Sequence, residues 1–213
     1  MKAVFPLIML VAVGCRSKDN ANDADNESTV EAEADADTDA DTTDATNQNT
    51  DATDTSNATD LTFNASTSKA SVGTNQDGSQ VWIFEAMDGD KMLRLEFYAA
   101  YGAPTAPGVA EITDAETDYS TCGTCIMLRT GCVAHGDHYD CTRTFMPRAE
   151  GQVQIDAIGA SAGGQLTGEL QNIIFQQVSI GQNYATTPVA NGDLMRLESW
   201  SFDVELEAME NSR

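Results

Sequence analysis

The chain sets 34 acidic against 11 basic side chains over 213 residues, a formal net charge of −23. Such a surface repels phosphate backbones and anionic head groups alike, which excludes nucleic acid as a partner and leaves membrane attachment to acyl chains. The length suffices for one ordinary domain once a leader and a linker are set aside.

Residues 1–14 read as a secretory leader. Lys2 supplies one positive charge, residues 3–13 form an apolar run, and Gly14-Cys15 closes it. Eleven apolar residues fall short of the roughly 20 that a spanning helix needs, so this is not a transmembrane anchor. The arrangement resembles bacterial lipoprotein signals, in which the cysteine becomes the lipidated first residue of the mature chain. Ala12 stands where the usual box has leucine. The resemblance implies lipidation at Cys15 and a cell-envelope location. Arg16 occupies the place of the aspartate that holds many lipoproteins at the inner membrane, which points to the outer membrane instead. Stable anchoring needs two or more acyl chains, at about 0.8 kcal/mol for each buried methylene.

Residues 15–60 are low in complexity: Asp, Ala, Thr, Asn and Glu dominate, and Val30 is the only large apolar residue. Between Ser17 and Asp60 stand 14 acids and a single lysine. With no apolar period this stretch cannot build a core, and it reads as a disordered tether. A random coil of that length spans roughly 35–40 Å, and charge repulsion extends it further. The alternating acids at Asp35, Asp37 and Asp39 imitate a calcium loop. Ala40 and Thr46 stand where an EF-hand requires Gly and Glu, so no defined calcium site is expected.

From residue 61 to 213 the texture changes to short β-type segments. Residues 80–87 and 91–99 flank Asp88-Gly89, a hairpin signal that sets Phe84 against Leu93 and Trp82 against Leu95, with Arg94 and Glu96 on the other face. Further strands are expected at 124–131, 142–148, 152–158, 166–170, 173–180 and 194–206. In the last, Trp200, Phe202, Val204 and Leu206 alternate with Ser201, Asp203 and Glu205. No helical stripe is present. The fold class is all-β, an antiparallel sandwich or barrel-like domain.

Cys122, Cys125, Cys132 and Cys141 form the most distinctive constellation. An even set in an exported domain argues for two disulfides, and four cysteines permit three pairings. An extended 124–131 segment holds Cys125 and Cys132 about 23 Å apart, far beyond the roughly 4.4–6.8 Å of a disulfide. The preferred pairing is Cys132–Cys141 with Cys122–Cys125; the runner-up is Cys122–Cys132 with Cys125–Cys141. A metal reading competes, because four thiols with His135 and His138 between them supply enough ligands for zinc. Cys132 and Cys141 do not repeat the C-x2-C knuckle, and an oxidising compartment favours disulfides. A redox role for the C-x2-C needs a helix N-terminus where strands are expected.

The run 118–125, Asp-Tyr-Ser-Thr-Cys-Gly-Thr-Cys, with Cys132 and the run 141–145, Cys-Thr-Arg-Thr-Phe, resembles a myxobacterial-type group of lipoproteins. Its members look like a lipobox, an acidic or Ser/Thr-rich tether and a cysteine-containing β-domain. The resemblance covers roughly residues 93–204. It implies export, lipidation and fold, and no activity.

Residues 159–163, Gly-Ala-Ser-Ala-Gly, match the nucleophile-elbow pattern. That mechanism needs a helix after the turn and a later histidine, whereas both histidines precede Ser161. A hydrolase using Ser161 is therefore the weaker alternative. His135-Gly136-Asp137-His138 reads as a polar loop tip or a metal site. The acids Glu85 and Glu96, and Asp203 and Glu205, are expected as solvated face residues. Tyr98, Tyr101 and the loop 102–108 could form a ligand surface or a core lid. The expected protein is a lipid-anchored envelope module with a binding or structural β-domain, no catalytic set and no cofactor. The alternative is an envelope metal-binding protein using the Cys/His cluster. An envelope protein or polysaccharide partner is left unspecified.

Overall fold

The computed structural model describes residues 55–136 and 138–209. The leader, Cys15, the acidic run up to residue 54 and its calcium-like loop lie outside the described residues. In chain order the strands are β1 (Thr59–Asp60), β2 (Thr67–Thr74), β3 (Gln80–Asp88), β4 (Lys91–Tyr98), β5 (Gly108–Glu111), β6 (Thr124–Thr130) and β7 (Val133–His135). They continue with β8 (His138–Asp140), β9 (Arg143–Pro147), β10 (Gln152–Ile158), β11 (Gln165–Ile180), β12 (Thr186–Pro188) and β13 (Leu194–Ala208). Two short 3-10 turns, Ala99–Tyr101 and Asp114–Thr117, interrupt them. The domain is all-β.

The ladder runs β13-β2-β3-β4-β6-β9-β11 and returns to β13, because β11 also pairs with β13. This closure makes the sheet barrel-like and leaves those strands without open edges. β10 and β5 extend the sheet beyond β11, and β1 adds to β13. Most contacts are antiparallel, but β1 and β2 run parallel to β13. Thr59 and Asp60, tether by composition, pair with Met195 and Arg196.

Period-two alternation fills the interior. Trp82, Phe84 and Ala86 on β3, Leu93, Leu95 and Phe97 on β4, and Ile126 and Leu128 on β6 belong to one buried core. Each such Leu or Phe contributes about 1.5–3 kcal/mol over an exposed position. On β13, Phe202 and Leu206 are buried while Ser201, Asp203 and Glu205 are exposed, as the alternation predicts.

The β3–β4 register differs from the expected one by two residues. Asp88 pairs with Lys91, so Phe84 faces Leu95 and Trp82 faces Phe97. The turn is Gly89-Asp90: Gly89 takes φ 60°, the left-handed value that the first central position of a type II′ turn demands. A two-residue slip preserves the face of every side chain, so the core assignment survives. The segments expected as separate strands at 166–170 and 173–180 form the single strand β11. Asn172, at φ 56°, kinks it without ending it. The inward positions change parity there, from Leu166 and Leu170 to Ile173 and Phe175.

A second, smaller apolar cluster lies on the outer face. Cys122, Cys125, Met127, Met146 and Val178 pack there with Tyr98, Tyr119 and Ile180.

Candidate functional site

Outward parity on β4 places Arg94, Glu96 and Tyr98 in a row, and cross-strand pairing sets Glu85 opposite Arg94 and Cys125 opposite Glu96. The expectation that Glu85 and Glu96 are solvated fails for Glu96, which is 0% exposed. The segment after β5 folds back over this face and removes it from water. Burial of a carboxylate is tolerated only with charge and hydrogen-bond partners. Arg94 Nε donates to Glu96 Oε1, and its Nη1 donates to Glu85 Oε1. Lys69 Nζ lies 3.0 Å from Glu85 Oε2. The hydroxyls of Tyr98 and Tyr119 both donate to Glu96 Oε2, each at 2.8 Å. Glu96 is thus a hub joining the charged stripe of the sheet to two tyrosines.

Electrostatics follow from that geometry. Burial, then the neighbouring Glu96 charge, pushes the Tyr119 phenol up to about 12. The same two causes push Tyr98 higher still. Both stay neutral and act as donors to the carboxylate. Burial works against ionisation of Glu85, but Lys69 and Arg94 outweigh it and hold its carboxyl below the ordinary range.

The covering segment is built locally. Thr113 caps the 3-10 turn Asp114–Thr117 in a capping box with Glu116. Asp118 Oδ1 accepts from Ser120 N at 3.0 Å, Ser120 Oγ at 2.9 Å and Thr186 N at 3.1 Å. These donors, the Ser120 N–H foremost, hold its carboxyl below the usual range. Tyr119 N donates to Thr186 Oγ1 at 2.9 Å, which ties the segment to β12. Gly123 O accepts from Tyr98 N at 2.9 Å. A Cβ at Gly123 would lie 2.4 Å from Tyr101 O, so only glycine lets this loop lie against the Ala99–Tyr101 turn.

The result is a cleft of about 310 Å³ lined by Tyr98, Tyr101, Tyr119, Tyr184, Ser120, Asn183 and the Cys122 end of a disulfide. Its lining carries no charged side chain. Tyr98 and Tyr101 meet edge-on with ring centroids 6.3 Å apart, and Tyr119 and Tyr184 do so at 5.9 Å. Tyr101 and Tyr184 form the open rim, 64% and 63% exposed. Tyr184 holds φ 64°, which costs a bulky residue of order 1–3 kcal/mol and places its ring over the rim.

Of the residues singled out by sequence, Tyr98 and Tyr101 enter the cleft, whereas the loop 102–108 does not line it. The cysteines pair as Cys122–Cys125 and Cys132–Cys141. The first bridge borders the cleft and the second closes the base of the β7–β8 hairpin. Thiols held in disulfides are not zinc ligands, so the four-cysteine metal reading is set aside. His135 and His138 sit on that hairpin, both exposed, with their Nε2 atoms 3.6 and 4.0 Å from the two Asp140 carboxylate oxygens. Among the described residues no cluster of His, Cys, Asp and Glu has the form of a metal site. Ser161 lies in the turn between β10 and β11, strand to strand, which is not the geometry of a nucleophile elbow. The turn is fastened to β3 by Trp82 Nε1, which donates to Gly159 O at 2.6 Å.

Tyr119, Ser120, Asn183 and Tyr184 were not expected as site residues from the sequence, and Glu96 was expected there only as a solvated carboxylate. Tyr119 and Ser120 stand within the 118–125 run noted for its cysteines, and a tyrosine beside a C-x2-C was the available signal. Tyr184 and Asn183 sit in a polar turn that only the β11–β12 pairing brings near. Comparison with protein-family models, curated proteins and solved structures finds no match to this chain.

Proposed function

We propose that this is a lipid-anchored envelope protein whose β-domain is a binding module, and that the tyrosine cleft is its binding site. The observation that carries the reading is the convergence of Tyr98, Tyr101, Tyr119 and Tyr184 on one cleft, two of them pinned to the buried Glu96. Aromatic walls with a few fixed polar groups are the usual make-up of a small-molecule site. The shared carboxylate acceptor fixes two rings before any ligand arrives, which lowers the cost of binding. The lipoprotein-type leader and the acidic tether supply the anchor and the spacing from the membrane.

The test is retention, on isolated envelopes of its host, of the full chain purified without its acyl chains, so that lipid insertion does not hold it there. Wild type and Tyr139→Ala should sediment with the envelopes at low ligand-free background. The double variant Tyr101→Ala/Tyr184→Asn should stay in the supernatant. Equal sedimentation of all three proteins would remove the cleft from the function.

A further inference from the structure

We infer that the ligand of the cleft is a neutral saccharide, bound by one or two pyranose rings of a longer chain. The inference rests on the reading of the cleft as a binding site and adds the class of molecule it takes.

The lining sets the terms. With no Lys or Arg at its wall the cleft offers nothing to pair with a phosphate or carboxylate. An organic cation needs enclosing ring faces and uncompensated negative charge. Here Tyr101 and Tyr184 stand open at the rim. The Glu96 charge is already answered by Arg94, and the Asp118 carboxylate is engaged by Ser120 and Thr186. A purely apolar ligand would leave the remaining lone pairs of Ser120 and the phenol oxygens, whose protons are already engaged within the protein, and the Asn183 amide N–H groups without water or a ligand partner.

A sugar ring satisfies what remains. Its axial C–H groups carry partial positive charge and pack on the negative faces of aromatic rings, while its hydroxyls both donate and accept. Tyr98 and Tyr119 donate their hydroxyl hydrogens as hydrogen bonds to Glu96, so what their phenol oxygens have left for ligand hydroxyls is lone pairs, and their rings become more electron-rich. Ser120 and Asn183 supply the hydroxyl and amide that set orientation. A volume of about 310 Å³ lies at the small end of the roughly 300–1,000 Å³ found for ligand sites. An open rim lets the rest of a glycan chain continue into solvent. The affinity expected for so small and open a contact is roughly 0.1–1 mM.

The experiment is an amide-shift titration of the full chain with cellotetraose, chitotetraose and maltotetraose, and separately with tetramethylammonium. At least one tetrasaccharide should shift the amides of Ser120, Asn183 and Tyr184 with saturation. Tyr101→Ala and Tyr184→Asn should each weaken it about tenfold, the loss expected for one stacked aromatic contact. Asn is chosen at position 184 because it tolerates the left-handed backbone there. Tyr139→Ala, on the distant hairpin, should bind as wild type. Saturable shifts of the same amides by tetramethylammonium with none from the sugars would overturn the saccharide assignment and keep the cleft as a site. No shift from any probe at roughly 20 mM, a concentration well above the expected Kd, would overturn both.

Discussion

Glu96 accepts two tyrosine hydroxyls on one oxygen and the Arg94 guanidinium on the other, so a single carboxylate couples the cleft to the sheet. Glu96→Ala removes one partner of a buried ion pair and should cost about 3–5 kcal/mol, read as a lower midpoint in urea. Tyr119→Phe deletes only one charged hydrogen bond and should cost about 1.5–3 kcal/mol. The phenol of Tyr119 is raised from 10.0 to about 12. Its neutral form is the one the fold binds, so this stabilisation is complete below pH 10 and is lost as pH rises through about 12. The absorbance titration of wild type minus Tyr119→Phe should therefore show a tyrosinate midpoint near 12. A difference midpoint near the ordinary value of 10.0 would mean that the phenol is not buried against Glu96.

Among the elements, the covering segment and the stapled hairpin are separable. Cys122–Cys125 borders the cleft and belongs to the outer apolar cluster, whereas Cys132–Cys141 closes a hairpin with exposed strands. Loss of either bridge should cost about 2–3 kcal/mol by loop-closure entropy. Cys122→Ala/Cys125→Ala should abolish ligand-induced shifts at Ser120, and Cys132→Ala/Cys141→Ala should leave them intact. Gly123→Ala tests the same segment through its 2.4 Å approach to Tyr101 O. It should lower the melting temperature and displace Tyr101. The strands themselves were legible in the sequence because alternation of Trp200, Phe202, Val204 and Leu206 with polar residues has one structural solution. The β3–β4 register was misread by two residues, since Asp88, Gly89 and Asp90 offer two turns of similar chemistry and a two-residue slip leaves the pattern unchanged. The cleft was half legible. Tyr98 and Tyr101 lie close in sequence to an apparent loop. Tyr119 and Tyr184 meet only through long-range contacts, such as the Tyr119 N bond to Thr186, that no local pattern encodes. Glu96 looked solvated because a polar residue on an alternating strand is normally outward and wet, and nothing local announces that another segment covers it.

At the scale of the whole molecule, the closed ladder of β13, β2, β3, β4, β6, β9 and β11 gives a rigid base on whose outer face the cleft is built. A net charge of −23 repels the chain from anionic surfaces, so the proposed envelope location would require an acyl anchor to hold it there. Raising ionic strength should strengthen retention of the chain without its acyl chains on envelopes by screening repulsion between the acidic chain and anionic head groups, whereas an interaction held by ion pairs would weaken. The most direct measurement is the intact mass of the protein extracted from its own host. The expected result is a chain beginning at Cys15, carrying diacylglyceryl-type lipid, with Cys122, Cys125, Cys132 and Cys141 all oxidised. A chain that keeps residues 1–14 and has no lipid would overturn the lipid anchor, and one with reduced thiols and bound metal would overturn the disulfide-stapled domain.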